Sequence, residues 1–245
     1  MNLRTAAAAA PYSIALRATH YLLMAFVIAL AITGFTIYFK QELGLARLKV
    51  TLIYTHAFIA YGFLVVLALR AAVAFASPAQ ASLTRSLPRP RDLACLPGEI
   101  KDNLLGRRRP RFAGRSPLSR ALTGGLYSAF LIMAITGLVR TGTDLFHPPL
   151  GPFVAAFIAA PGVPPQSLKP FDRSGTNPVR YAQVATAKSV PGTIHIYVGV
   201  MIVTLALTHA AGAILFEWQS RAGSGYGLAR AMLLGPRREK RARSQ

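Results

Sequence analysis

Two histidines, His195 and His209, lie fourteen residues apart in the apolar stretch "TIHIYVGVMIVTLALTHAAG", residues 193–212. An imidazole can bind a metal, and in lipid it needs a partner because an unpaired polar group is costly there. On a helix this spacing places both rings on nearly one face, about 40° apart in direction and about 21 Å apart along the axis. We therefore expect one imidazole in each half of a hydrocarbon core about 30 Å thick.

The composition indicates an integral membrane protein. Of the 245 residues 53% are hydrophobic and 15% are charged, and 28 Lys and Arg stand against 8 Asp and Glu. The basic residues cluster between long apolar stretches, which favours a role in membrane orientation and argues against nucleic-acid binding. The sequence predicts an all-α bundle of four transmembrane helices at about 14–39, 52–76, 121–139 and 192–218.

The basic residues also predict the orientation of the chain. Counting Arg17, which lies near the membrane surface at the start of the first span, 19 Lys and Arg lie in the N-terminal segment, the middle loop and the tail, and 8 lie in the other two loops. By the positive-inside rule both termini face the cytoplasm. We expect a single membrane domain over residues 1–235, a short amphipathic helix in "YGLARAMLLGPRREK", and a basic cytoplasmic tail over residues 236–245. In the outer loop, "GPFVAAFIAAPG" is too short to span and predicts an interfacial helix or a partner-docking ridge.

Four of the five histidines lie in the predicted spans and sort into two pairs by depth. His20 and His209 fall on the inner side, and His56 and His195 fall on the outer side. Two imidazoles from opposite sides are the axial ligands of a six-coordinate haem iron, which transfers electrons and does not bind oxygen. Gly34, Gly62, Gly137 and Gly199 are candidates for leaving room for the porphyrin.

Other metal sites fit the sequence less well. Tetrahedral zinc needs more than two close ligands. The single cysteine, Cys95, excludes an internal disulfide, a four-cysteine iron–sulfur site and covalent haem attachment. His147 has no partner at its depth, and we interpret it as a surface or loop-packing residue.

These residues resemble the bacterial cytochrome b561 and Ni,Fe-hydrogenase b-type cytochrome superfamily, which includes the cytochrome b subunits of formate dehydrogenase, hydrogenase and thiosulfate reductase. The resemblance extends from about residue 17 to 235. It is carried by "RATHYLLMAFVIALAITGF", "HAFIAYGFLVVLALR", "AITGLV", the spacing of His195 and His209, and "YGLARAMLLG".

The resemblance implies two non-covalent b haems, with His20 and His209 on the inner iron and His56 and His195 on the outer iron. It implies an inner-membrane subunit that connects a partner dehydrogenase, typically an outer iron–sulfur subunit, to quinone. The quinone pocket corresponds to "RRPRFAGRSPLSR", where Gly114 and Arg115 are candidate lining residues and Phe112 replaces the usual Asn.

Arg17 and Arg70 lie at the predicted inner ends of their helices. Each could bind a haem propionate, because a guanidinium pairs well with a carboxylate. Each could equally extend its side chain to the membrane surface.

Two other functions remain open. The first is a stand-alone cytochrome b561 that exchanges electrons with quinone and with superoxide or small donors. The second is a small transporter or structural membrane subunit without haem. The absence of Asp and Glu beside the membrane histidines argues against a proton relay of the transporter type.

Overall fold

The computed structural model describes residues 13–76, 87–105 and 116–221. Over these ranges the regular structure is helical, apart from one isolated bridge between Ala159 and Thr176. The helices are α1 (Ile14–Tyr38), α2 (Lys49–Ala76), α3 (Pro90–Leu104), α4 (Pro117–Leu145), α5 (Gly151–Ile158), α6 (Pro178–Ala187) and α7 (Ser189–Arg221), with short 3₁₀ turns at Ala46–Leu48 and Pro165–Ser167. The predicted C-terminal amphipathic helix and basic tail lie outside the described residues.

Four helical stretches are long and apolar enough to cross a membrane, as the sequence predicted. They are Ile14–Tyr38, Ala46–Ala76, Pro117–Leu145 and Pro178–Ile214, and only 6% to 22% of their most apolar windows is buried within the protein. Large side chains such as Phe58, Phe75 and Tyr197 are more than 70% exposed. An apolar surface of this extent requires lipid as its solvent.

The third span is longer than its apolar composition suggests. It was expected over residues 121–139, and α4 extends from Pro117 to Leu145. Near its end the Thr143 hydroxyl donates to the Val139 carbonyl at 3.0 Å, so this polar side chain is satisfied within its own helix. At its start Pro117 has the fixed φ that suits the first turn of a helix.

The described chain divides into two compact units. We call residues 24–65 and 125–205 the His56 unit. We call residues 13–23, 66–76, 87–105, 116–124 and 206–221 the His20 unit. Each of the four spanning helices therefore contributes one part to each unit.

Within the His56 unit the four spans pack through a few close contacts. The Phe63 and Phe130 rings meet edge to face with centroids 5.3 Å apart, which joins α2 to α4. A Cβ on Gly62 would lie 2.7 Å from the Phe26 ring, so α1 and α2 approach closely at this glycine. Gly199 of α7 lies against the Met133 methyl group of α4. Small residues permit this close packing of membrane helices.

Helix α3 belongs to the His20 unit and occupies a segment that the sequence analysis treated as a basic loop. Pro90 stands in its first turn, and the Asp92 carboxylate accepts the Arg89 backbone N–H at 2.8 Å, which closes the start of the helix. Its buried face is acidic: Asp92 pairs with Arg120 of α4 at 3.1 Å. Glu99 accepts the Leu118 N–H at the start of α4 at 2.8 Å. These contacts hold α3 against the first turn of α4.

The segment between α4 and α7 builds its own small core in the His56 unit. Ala155, Ile158 and Leu168 are buried together. Asn177 caps α6 by accepting the Val179 and Arg180 N–H groups at 3.1 Å. The predicted short apolar helix is therefore present as α5. It packs inward through Ile158 and leaves Phe153 74% exposed.

Candidate functional site

His56 of α2 and His195 of α7 face each other inside the His56 unit. Their ring centroids are 6.3 Å apart and the ring planes cross at 79°. Both side chains are half-buried in helices whose other residues at this level are mainly apolar. The structure thus brings together the two histidines that the sequence analysis placed at the same depth.

Each of these imidazoles has a threonine at its Nδ1 atom. The Thr33 Oγ1 of α1 lies 2.8 Å from the His56 Nδ1. The Thr136 Oγ1 of α4 lies 3.1 Å from the His195 Nδ1. In both rings the nitrogen engaged by the threonine is Nδ1, which leaves Nε2 as the nitrogen available to a metal.

A glycine follows each of these threonines and lies beside the same ring. A Cβ on Gly34 would lie 3.5 Å from the His56 Cε1, and a Cβ on Gly137 would lie 3.4 Å from the His195 Cε1. These two glycines, which the sequence analysis had named, border the histidine pair. Gly62 and Gly199, named on the same grounds, instead accommodate Phe26 and Met133.

Arg140 is a charged residue that the sequence analysis counted only toward orientation. A Cβ on Gly192, three residues before His195 in α7, would lie 2.9 Å from its guanidinium, so Arg140 packs against α7 close to the histidine pair. It also pairs with Asp144 at 3.2 Å, and Asp144 in turn binds Lys188 at 2.6 Å. The position of Arg140 at the last part of an apolar span was a signal that could have identified it.

His20 and His209 fall within the His20 unit, and both side chains are half-buried. Arg17 and Arg70 belong to the same unit. Arg70 is only 5% exposed, so its guanidinium lies inside the protein, whereas Arg17 is half-buried. All four of these residues make contacts within the protein.

The remaining predicted residues lie apart from the histidine pair or outside the described ranges. The His147 ring contacts the Tyr54 ring at 5.6 Å between centroids, which agrees with its interpretation as a loop-packing residue. Cys95 is exposed on α3. Gly114 and Arg115 lie outside the described residues.

The geometry of His56 and His195 fits one metal ion held between two imidazoles. A metal bonded at about 2 Å to one nitrogen of each ring would separate the centroids by about 6 Å, since each centroid lies about 1 Å behind its nitrogen. Among residues 13–76, 87–105 and 116–221, no three His, Cys, Asp or Glu side chains converge as metal ligands. A tetrahedral zinc site therefore finds too few protein ligands, whereas haem iron needs only two.

The sequence model for prokaryotic cytochrome b561 matches residues 11–224. This chain belongs to that family. Membership implies a membrane b-type cytochrome that binds haem b and transfers electrons. The match covers all four spans and all the histidines of the two predicted pairs. No curated protein and no solved structure matched the chain.

Proposed function

We propose that this cytochrome carries electrons between a partner dehydrogenase and the quinone pool through two bis-histidine b haems. The observation that supports this most directly is the separation of 6.3 Å between the His56 and His195 rings. Bound between such rings, haem iron alternates between ferric and ferrous forms and so accepts and releases single electrons. With both axial positions filled by imidazoles, the site favours electron transfer over oxygen binding.

In this proposal the His56 unit holds the outer haem. His56 and His195 supply the axial nitrogens, and Gly34 and Gly137 keep the space beside the rings free of side chains. Arg140 is the propionate candidate of this unit, because its guanidinium lies against Gly192 of α7, three residues before His195. Asp144 orients that guanidinium from the opposite side at 3.2 Å.

The second haem belongs to His20 and His209, which share the His20 unit with Arg17 and Arg70. Arg70 is the stronger propionate candidate, because a guanidinium that is 5% exposed is not extended to the membrane surface. Arg17 is half-buried and fits either role. Quinone would bind near this haem, with Gly114 and Arg115 as the proposed lining residues.

Charge supports the proposed orientation and, with it, the side of the membrane on which a partner would dock. The positive-inside count supports an orientation with both termini in the bacterial cytoplasm, in which the segment between α4 and α7 would face the periplasm. This segment presents the exposed ring of Phe153 and the basic residues Lys169, Arg173 and Arg180. An iron–sulfur subunit of a dehydrogenase or hydrogenase would dock on this side of the inner membrane.

The test is the haem content per polypeptide of the purified protein, with a dithionite-reduced minus oxidised spectrum. We expect two non-covalent b haems in the full chain. The His147→Ala variant is a matched control, because it removes an imidazole that lies outside both pairs. One haem per chain would restrict the function to one histidine pair, and none would refute the proposal. Co-purification of an iron–sulfur subunit would distinguish a dehydrogenase subunit from a stand-alone cytochrome b561.

A further inference from the structure

The tetrapeptide Ala-Ile-Thr-Gly occurs twice, at residues 31–34 in α1 and at residues 134–137 in α4. Each copy meets a different histidine in the same way. The threonine hydroxyl contacts Nδ1 of the ring, and the glycine lies beside Cε1. The two copies therefore build equivalent contacts on either side of the histidine pair in the His56 unit.

The second contact of each threonine hydroxyl, to a carbonyl of its own helix, indicates which atom carries the proton in the threonine–histidine hydrogen bond. The Thr33 Oγ1 is 2.8 Å from the Ala29 carbonyl oxygen, and the Thr136 Oγ1 is 2.8 Å from the Ile132 carbonyl oxygen. A carbonyl oxygen can only accept, and a hydroxyl has a single proton to donate. When that proton is donated to the carbonyl, the hydroxyl oxygen is free to accept from the Nδ1–H of the histidine.

We propose that Thr33 and Thr136 are positioning residues that hold His56 and His195 in the Nδ1–H tautomer and direct the Nε2 lone pairs toward a single haem iron. This inference rests on the proposed function, because it concerns the ligands of the outer haem. In the opposite arrangement each hydroxyl would donate to Nδ1 and the proton would lie on Nε2. That imidazole could not bind iron, so only the first arrangement serves a haem site.

The contact also changes the properties of the metal ligand. A hydrogen bond accepted from the far ring nitrogen makes the imidazole a stronger donor to the metal and fixes its ring orientation. It therefore stabilises ferric iron relative to ferrous iron and slows haem loss. If Thr33 or Thr136 served only in helix packing, its hydroxyl would change neither the midpoint potential of the haem nor the rate of haem loss.

The experiment compares Thr33→Val and Thr136→Val with Thr33→Ser and Thr136→Ser in the purified full chain. Valine keeps the branched shape and removes the hydroxyl, and serine keeps the hydroxyl. Thr36→Val and Thr143→Val are matched controls on the same two helices, because their hydroxyls donate to the Ile32 and Val139 carbonyls and contact no histidine. The readouts are the rate of haem transfer to excess apomyoglobin, the midpoint potential of each haem, and the low-spin ferric EPR signals.

We expect each valine variant at positions 33 and 136 to lose one haem roughly 10-fold faster, within the 10- to 100-fold range of outer-shell partners. The same haem should move to a higher midpoint potential, and its EPR g values should shift. The serine variants and the two controls should resemble the wild type. Both valine variants should affect the same haem, and the double variant should affect no other.

The outcomes separate this inference from the proposed function. A wild-type protein without haem would refute the proposed function. A wild-type protein with two haems, whose Thr33→Val and Thr136→Val variants match the Thr36→Val and Thr143→Val controls, would refute the positioning role alone. Effects of the valine variants that serine failed to reverse would also refute it, because they would reflect packing.

Discussion

The histidine pair of the His56 unit and the contact between α3 and α4 in the His20 unit join helices by different chemistry. In the first, the hydroxyls of Thr33 and Thr136 meet the imidazole rings of His56 and His195 within spanning helices. In the second, the Asp92 carboxylate pairs with the Arg120 guanidinium, and Glu99 accepts a backbone N–H in the first turn of α4. The first contact is made by hydroxyl and imidazole groups, and the second depends on carboxylates.

The difference follows from where each contact lies along α4. Thr136 lies nine residues before the end of α4, in its apolar stretch, where charged side chains are rare and need a partner. Arg120 lies in the first turn, where the helix N-terminus has free N–H groups and carries partial positive charge that favours nearby carboxylates. A charged contact at the helix end fixes α3 without placing an ion in lipid.

The largest expected effect comes from removing the rings of the histidine pair. His56→Ala and His195→Ala should each abolish the same haem, because the iron loses one of its two axial ligands. The measurement is haem content and the reduced minus oxidised spectrum, and each variant should lose about one haem per chain. His20→Ala and His209→Ala should abolish the other haem and, with it, quinone reduction.

Different spectral losses from His56→Ala and His195→Ala would contradict the pairing. If His20→Ala left both haems in place, the second pair would be wrong and the first would stand. The four variants thus test whether the protein holds one bis-histidine haem or two.

The sequence was sufficient to predict the elements that depend on composition. The spans follow from apolar length, and the depth of a histidine follows from its position within a span, so His56 and His195 could be matched without a structure. The extension of α4 to Leu145 was missed because Thr143 satisfies its hydroxyl on its own helix. Such a contact leaves no periodic apolar pattern.

Helix α3 and the threonine contacts could not be predicted, for a related reason. The buried face of α3 is acidic, and its partners Arg120 and the Leu118 N–H are supplied by α4. A pattern of apolar residues therefore does not identify it. For Thr33, the repeat of Ala-Ile-Thr-Gly was visible in the sequence, but only the packing of α1 against α2 shows that the hydroxyl meets His56.

The second prediction tests whether the position of a contact along α4, and not the unit it belongs to, determines whether the contact uses charged groups. Asp144 lies at the far end of α4 in the His56 unit, and it binds both Arg140 and Lys188. Its side chain is 10% exposed. Asp144→Asn should lower the free energy of unfolding by about 1.5–3 kcal/mol, the range of hydrogen bonds to charged groups. The measurement is the unfolding midpoint in detergent at pH 7.

Asp172→Asn is the control for this change, because it also removes a carboxylate from the segment between α4 and α7. Asp172 is exposed, and its Oδ1 accepts the Ser174 N–H in a local turn at 2.8 Å. Asp172→Asn should change the unfolding midpoint much less than Asp144→Asn. If the two substitutions lowered the midpoint equally, the ion pairs of Asp144 at the end of α4 would contribute no more stability than the local turn at Asp172.

A smaller effect is expected at the first turn of α4. Glu99→Ala removes the acceptor of the Leu118 N–H and should cost about 1 kcal/mol, as the loss of a capping side chain does. Glu99→Gln keeps a side-chain oxygen of the same reach and should retain most of the stability. The unfolding midpoints of the two variants in detergent distinguish these results. A loss for Gln as large as for Ala would mean that the charge, and not the cap, stabilises the contact.

The smallest expected effect is the pH dependence that Asp92 gives to the same contact. The Arg89 backbone N–H and then the Arg120 guanidinium hold the pKa of Asp92 below its ordinary value of 3.8. Because the folded protein binds this proton more weakly than the unfolded chain, Asp92 contributes stability above pH 4. That contribution is lost as the pH falls through the lowered pKa. Unfolding midpoints of wild type and Asp92→Asn should therefore differ at pH 7 and converge on acidification toward pH 3. A difference that stays constant over this range would mean that the Asp92 carboxylate contributes through its shape, and the contrast with the hydroxyl–imidazole contacts of the histidine pair would lose its basis in charge.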